Sequence, residues 1–110
     1  MSSLSLNSNL NTAAMGYAKF IAGVGIPGGI QHYADGRSPD ARAKAAGYGS
    51  CVGEVVAGGF GSAETVFQAW LDSPGHKAVM EDRRGFEVGV AEYNYYWVMM
   101  IGIPKSQAAC

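Results

Sequence analysis

The stretch from Tyr95 to Ile103 is largely nonpolar on both of its alternating sets of side chains. Successive residues of a strand point to opposite faces, so a strand of this kind has to be covered on both sides. It is central in a sheet, or a partner covers it. Just upstream, Phe86, Val88 and Val90 alternate with Glu87, Gly89 and Ala91, the pattern of a half-buried strand. Tyr93-Asn94 separates the two runs and turns the chain into a closing hairpin.

Helical signals fill the rest. Leu10, Ala13, Ala14, Tyr17, Phe20 and Ile21 recur at three- and four-residue spacing and predict a helix over 9–22. Asn7, Ser8 and Asn9 offer its N-cap, and Gly23 or Gly25 followed by Pro27 its end. A glycine-rich loop over 23–36 carries His32. Ser38-Pro39-Asp40 then starts a short helix that stops at Gly47: a serine cap, a proline in the first turn, an acid at the positive end of the dipole.

Cys51 to Val56 suits a buried strand closed by Gly58-Gly59. Ser62 caps a helix to about Leu71 with Val66, Ala69 and Trp70 inward, and Ser73-Pro74 starts another to about Met80. The class is α+β, with helices packed on a small antiparallel sheet in one domain spanning 1–110. Residues 1–8 and 104–110 are expected to be flexible ends.

A chain of 110 residues supports one modest core. Net charge is −1 and only 15% of residues are charged, which leaves no basic field for nucleic acid. Arg83-Arg84 is the only adjacent basic pair and suits an exposed turn. No apolar run reaches the roughly 18 residues of a membrane span. No signal peptide is visible at Met1-Ser2-Ser3-Leu4, which fits a cytoplasmic product or a mature or truncated chain. Cys51 and Cys110 have two readings. Either they bridge a long loop, for which the chain-entropy model gives roughly 4 kcal/mol, or a buried thiol and an unpaired tail thiol remain apart.

Glu54 is the residue hardest to explain as scaffold, because a carboxylate in an apolar strand needs partners. His32 and His76 are the natural ones. His76 follows Ser73-Pro74-Gly75, where its ring either packs at the first helical turn or joins a site. His32 is either exposed in its loop or part of the same site. Nothing resembles the short His-x-x-x-His pair of a metalloprotease.

The string Gly53-Glu54, Ser62-Ala63-Glu64-Thr65-Val66-Phe67-Gln68-Ala69-Trp70-Leu71-Asp72-Ser73-Pro74-Gly75-His76-Lys77 resembles the bacterial branch of the CAP superfamily. That superfamily groups cysteine-rich secretory proteins, antigen 5 and pathogenesis-related 1, and its domain is called SCP-like. His32 to Pro39, Arg42, Ala46-Gly47-Tyr48, Gly85 to Val90 and Tyr96-Trp97-Val98 extend the likeness, as does Asn9-Leu10 to Tyr17-Ala18, so it covers about 4–103. Three features depart from the family pattern. Gly-Glu-Asn reads Gly53-Glu54-Val55, Gln68 stands where many relatives have Glu, and the usual first helix with its Asn-x-x-Arg signature is missing.

The resemblance implies an α-β-α sandwich with a cleft holding two histidines and one or two acids, which in several relatives bind a divalent metal such as zinc. Carried over, His32 and His76 are the histidines and metal ligands, Glu54 the first acid, and Glu64 and Gln68 the candidates for the second position. A zinc held this way would keep an open coordination position for water. Without metal, Glu54 could orient one histidine as a general base.

The resemblance also implies secretion. The leading expectation is a module binding a small ligand, lipid or extracellular polymer, with Tyr93, Tyr95, Tyr96, Trp97, Met99 and Met100 either offering apolar surface or filling the core. The alternatives are a metal-assisted hydrolase of peptide or cell-wall material, and a self-assembling structural protein. A homo-oligomer, or a partner covering the place of the missing helix, would follow from the apolar last strand.

Overall fold

A computed structural model describes residues 5–24, 32, 35–81 and 87–103. Its elements are β1 (Ser5–Leu6), α1 (Ser8–Val24), α2 (Pro39–Ala45), β2 (Cys51–Gly58), α3 (Ala63–Leu71), α4 (Pro74–Met80), β3 (Glu87–Tyr93) and β4 (Tyr96–Ile103). The sheet order is β1-β3-β4-β2. β4 pairs antiparallel with both β2 and β3, which makes the doubly nonpolar strand an interior one. The α+β class holds. Unforeseen is β1, a two-residue parallel strand against Glu87 and Val88, set within the segment expected to be a flexible end.

The two faces of β4 feed two cores. Val98 and Met100 join Val56, Ala91 and the α1 residues Leu10, Ala14, Tyr17, Ala18 and Ile21. Met99 and Ile101 join Val55, Val66, Trp70 and Met80 beneath α3 and α4. Full burial of a Val, Leu or Ile side chain contributes about 1.5–3 kcal/mol, so these two layers carry the stability of the domain. Trp70 is 1% exposed, and its indole N–H donates to the Val56 carbonyl at 3.2 Å.

The caps divide by chemistry. Asn7 Oδ1 accepts from the Leu10 amide, Ser38 Oγ from Ala41 and Ser62 Oγ from Thr65. Ser73 occupies the N-cap of α4 but makes no side-chain cap bond, so proline at the first turn starts that helix without it. The hairpin joining β3 to β4 turns on Asn94 and Tyr95, both at positive φ (51° and 70°). Two glycines permit the layers to touch. A Cβ on Gly89 would lie 2.2 Å from the Leu10 carbonyl carbon, and one on Gly102 would meet the Tyr48 phenol. The Arg83-Arg84 pair, Phe86 and Cys110 lie outside the described residues, as does most of the glycine-rich loop around His32. Among the described residues no helix is long and apolar enough to cross a membrane.

Candidate functional site

Glu54 lies in the middle of β2 on the same alternation as Val52 and Val56, which turns its side chain toward α2 and leaves it 1% exposed. Two partners resolve the burial problem. His32 Nδ1 lies 2.8 Å from Glu54 Oε1. Arg42, on α2, donates through Nη2 to Oε2 at 2.8 Å and to Oε1 at 3.0 Å. A carboxylate only accepts, so Nδ1 is the donor of this contact, and whenever the ring is neutral Nε2 is left as an acceptor. The His32 ring is 39% exposed, so it links the buried carboxylate to solvent.

Arg42 was not among the residues expected at the site, yet it is the hub. Its Nη1 donates to Asp35 Oδ1 at 2.9 Å and to the Arg37 carbonyl at 2.8 Å, and Nη2 also reaches the His32 carbonyl at 2.9 Å. The guanidinium therefore gathers His32, Asp35, Arg37 and Glu54 around one charge. The signal in sequence was slight: an arginine in a seven-residue, alanine-rich helix, seven residues after an aspartate. Nearby, Asp40 Oδ1 accepts from the Val52 amide at 2.7 Å and fastens the start of α2 to the β2 edge.

His76 sits in the first turn of α4, half-buried. Burial, and after it the charge of His32, hold its pKa below the usual histidine value, so the two rings are in electrostatic reach of one another. The structure thus joins His32 to Glu54 directly and His76 to His32 through space. It does not bring Glu64 or Gln68 into that network. Glu64 is exposed in the first turn of α3, and the Gln68 amide donates to Asp72 at 2.9 Å on the exposed surface.

The resemblance implied a divalent metal, and the donor set can be tested for one. Glu54 spends both oxygens on Arg42 and one also on His32, and Asp35 is engaged by Arg42 as well. Among the described residues no group of three or more His, Cys, Asp or Glu side chains is arranged to hold a metal ion. A three-ligand protein site does not fit this arrangement; His32 Nε2 and the His76 ring are the remaining nitrogen donors.

A second feature lies on the opposite face of the sheet. A groove of about 360 Å³ runs between the β3–β4 face and helices α3 and α4, with Leu6, Phe67, Leu71, Val88, Val90 and Met99 in its walls. No polar surface lines it, and Leu6 at its rim is 77% exposed. Of the aromatic and methionine residues near the chain end, Met99 and Met100 are core, whereas Tyr93 and Tyr95 are exposed. Trp97 is half-buried and donates its indole N–H to the Phe60 carbonyl at 2.7 Å.

A mixed sheet between α1 on one face and α3–α4 on the other, with a buried Glu54 bonded to His32, defines an α-β-α sandwich with a polar cluster at one edge strand. The model of the cysteine-rich secretory protein (CAP) family matches residues 1–100, and the chain belongs to that family.

Three solved structures share the fold. The chain superposes on an extracellular SCP-domain protein of Bacillus anthracis with a TM-score of 0.87 at 18% identity, over 94% of this chain and 35% of that one. For an outer surface protein of Borrelia burgdorferi the TM-score is 0.82 at 22% identity, over 96% of this chain and 80% of the other. A cysteine-rich secretory protein of Staphylococcus aureus gives 0.73 at 15% identity, over 94% and 33%. The chain thus spans about a third of the Bacillus and Staphylococcus proteins. No curated protein matches the sequence.

Proposed function

We propose that this CAP domain is a binding module, located outside the cytoplasm, that holds a lipid-type acyl chain in the groove under α3 and α4. One observation carries the reading. The groove is walled by nonpolar side chains alone and has a volume in the range of small-molecule sites, roughly 300–1,000 Å³. Removing apolar surface from water contributes about 25 cal/mol per Å², and a saturated chain gains that here without desolvating any polar wall. The extracellular and outer-surface placement of two structural neighbours supports the location.

The test is displacement of a fluorescent C16 fatty acid by palmitate, with Leu6→Glu and Leu71→Glu alongside. Both side chains are at the rim and partly exposed, so the fold tolerates the change. Saturable binding weakened at least tenfold in both variants is expected. Absence of saturable binding in the wild type overturns the reading. A concentration-dependent size by light scattering that Leu71→Glu abolishes assigns the groove to a second copy instead.

A second reading, hydrolysis of peptide or cell-wall material, is favoured by the 2.8 Å contact between His32 and Glu54. An imidazole oriented through Nδ1 presents Nε2 as a general base. Turnover of a cell-wall fragment that His32→Ala abolishes would establish it, and turnover that survives His32→Ala excludes it.

A further inference from the structure

We infer that Arg42 is the built-in cation of the cleft, occupying with its guanidinium the side of Glu54 where a metal would have to bind. Glu54 is then a positioning residue for His32 rather than a metal ligand, and the ring nitrogens of His32 and His76 are the donors that remain.

The geometry leaves little freedom. Arg42 contacts both Glu54 oxygens within 3.0 Å, and the two side chains are 2% and 1% exposed. A guanidinium stays charged throughout the working pH range, unlike a bound ion, which comes and goes with concentration. It is anchored independently of Glu54 by Asp35, the Arg37 and His32 carbonyls and the Tyr17 ring. For Glu54 to coordinate a metal it would have to give up contacts to Arg42 and His32 that already engage both of its oxygens. The contact between Glu54 and His32 engages His32 Nδ1, so Nε2 is the nitrogen that this ring still has to offer.

Zinc is the probe. Wild-type protein, stripped with chelator, is titrated calorimetrically at pH 7.5 beside Arg42→Met. Carboxyl ¹³C and imidazole ¹⁵N spectra of the wild type are followed in parallel. In the wild type we expect a Kd weaker than micromolar, ring ¹⁵N shifts at His32 and His76, and a Glu54 carboxyl signal that does not move at saturation.

Arg42→Met frees Glu54 and is expected to bind zinc at least tenfold tighter than the wild type. Adding Glu54→Gln to it removes the unpaired carboxylate and returns the affinity to the wild-type level. Submicromolar binding in the wild type, or a Glu54 carboxyl that shifts with zinc, overturns the inference. So does a folded Arg42→Met with unchanged affinity. If that variant fails to fold, the wild-type Kd decides, together with the Glu54 signal where zinc binds.

Discussion

The guanidinium carbon of Arg42 lies 3.5 Å from the centroid of the Tyr17 ring. A buried cation thus rests on an aromatic face supplied by α1 while its nitrogens hold His32, Asp35, Arg37 and Glu54. Its Nε is the one group in this arrangement that is buried without a hydrogen-bond partner among the described residues, and the ring beneath partly compensates. Such contacts contribute about 2 kcal/mol when desolvated. We expect Tyr17→Leu to cost about 2–4 kcal/mol, combining the lost cation–π contact with lost packing. Arg42→Ala should cost about 3–5 kcal/mol because Glu54 and Asp35 lose their counter-charge. Urea unfolding of both variants checks this. A loss under 1 kcal/mol for Arg42→Ala would show that the counter-charge contributes little to stability.

Gly89 marks where α1 presses closest on the sheet. An added Cβ would sit 2.4 Å from the Asn11 amide nitrogen and 2.5 Å from Leu10 Cβ, and backbone cannot step aside as a flexible side chain can. Gly89→Ala is expected to destabilise by about 1–3 kcal/mol or more, the usual range for overpacking. The measurement is the denaturation midpoint at unchanged m-value.

Tyr95 at the hairpin tip adopts φ 70°, is 59% exposed, and donates its amide to Glu92 Oε2 at 2.8 Å. Turns with positive φ at both central residues favour Asn-Gly, and this one is Asn-Tyr. Tyr95→Gly keeps the amide bond and relieves the left-handed backbone. It is expected to raise stability by up to about 1 kcal/mol, read as a higher midpoint in thermal unfolding. A drop would show that the exposed ring makes a stabilising contact.

Tyr48 is pushed up from 10.0 to about 12, first by burial and then by its hydrogen bond to, and the charge of, Glu87. A folded pKa above the unfolded one means that the stabilisation is complete below pH 10 and is lost as pH rises from about 10 to about 12. Ultraviolet titration of the phenols should show a late tyrosinate step that Tyr48→Phe removes. That variant should also lose less stability than the wild type over the same interval.

His76 has the opposite sign. Its pKa is lowered, so the unfolded chain binds a proton more readily than the folded one. Stability should fall as pH drops through the unfolded value near 6.5 and level off below the folded value. Ring-proton NMR should place His76 below an ordinary histidine. His32→Ala should raise its pKa only in part, because burial is the larger cause and stays. A His76 that titrates normally in the wild type would show that it is solvated and apart from His32.

Much of the scaffold was legible along the chain. The 3.6-residue stripe from Leu10 to Ile21 fell inside α1, and the alternation around Val88 and the doubly nonpolar run became β3 and β4. Caps were half legible. Ser38 and Ser62 bond as expected, whereas Ser73 does not, although it precedes a proline just as Ser38 does. β1 left no trace, since two residues have no periodicity to read. At the site, Glu54 drew attention because a buried acid is costly, and His32 answered it. The solvent-exposed positions of Glu64 and Gln68 were not legible, because which face a helical residue presents to a distant cleft depends on how that helix docks.

The sequence by itself determined the elements other than β1 and their order, because periodicity, capping and turn chemistry act within a few residues, and its motifs pointed to the family. The tertiary structure alone decided what Glu54 does. Its partners lie 12 and 22 residues away, and only the packing of α2 against β2 brings Arg42 to both of its oxygens. With a fixed guanidinium there, a carboxylate that sequence would offer to a metal is neutralised inside the protein and works by holding an imidazole.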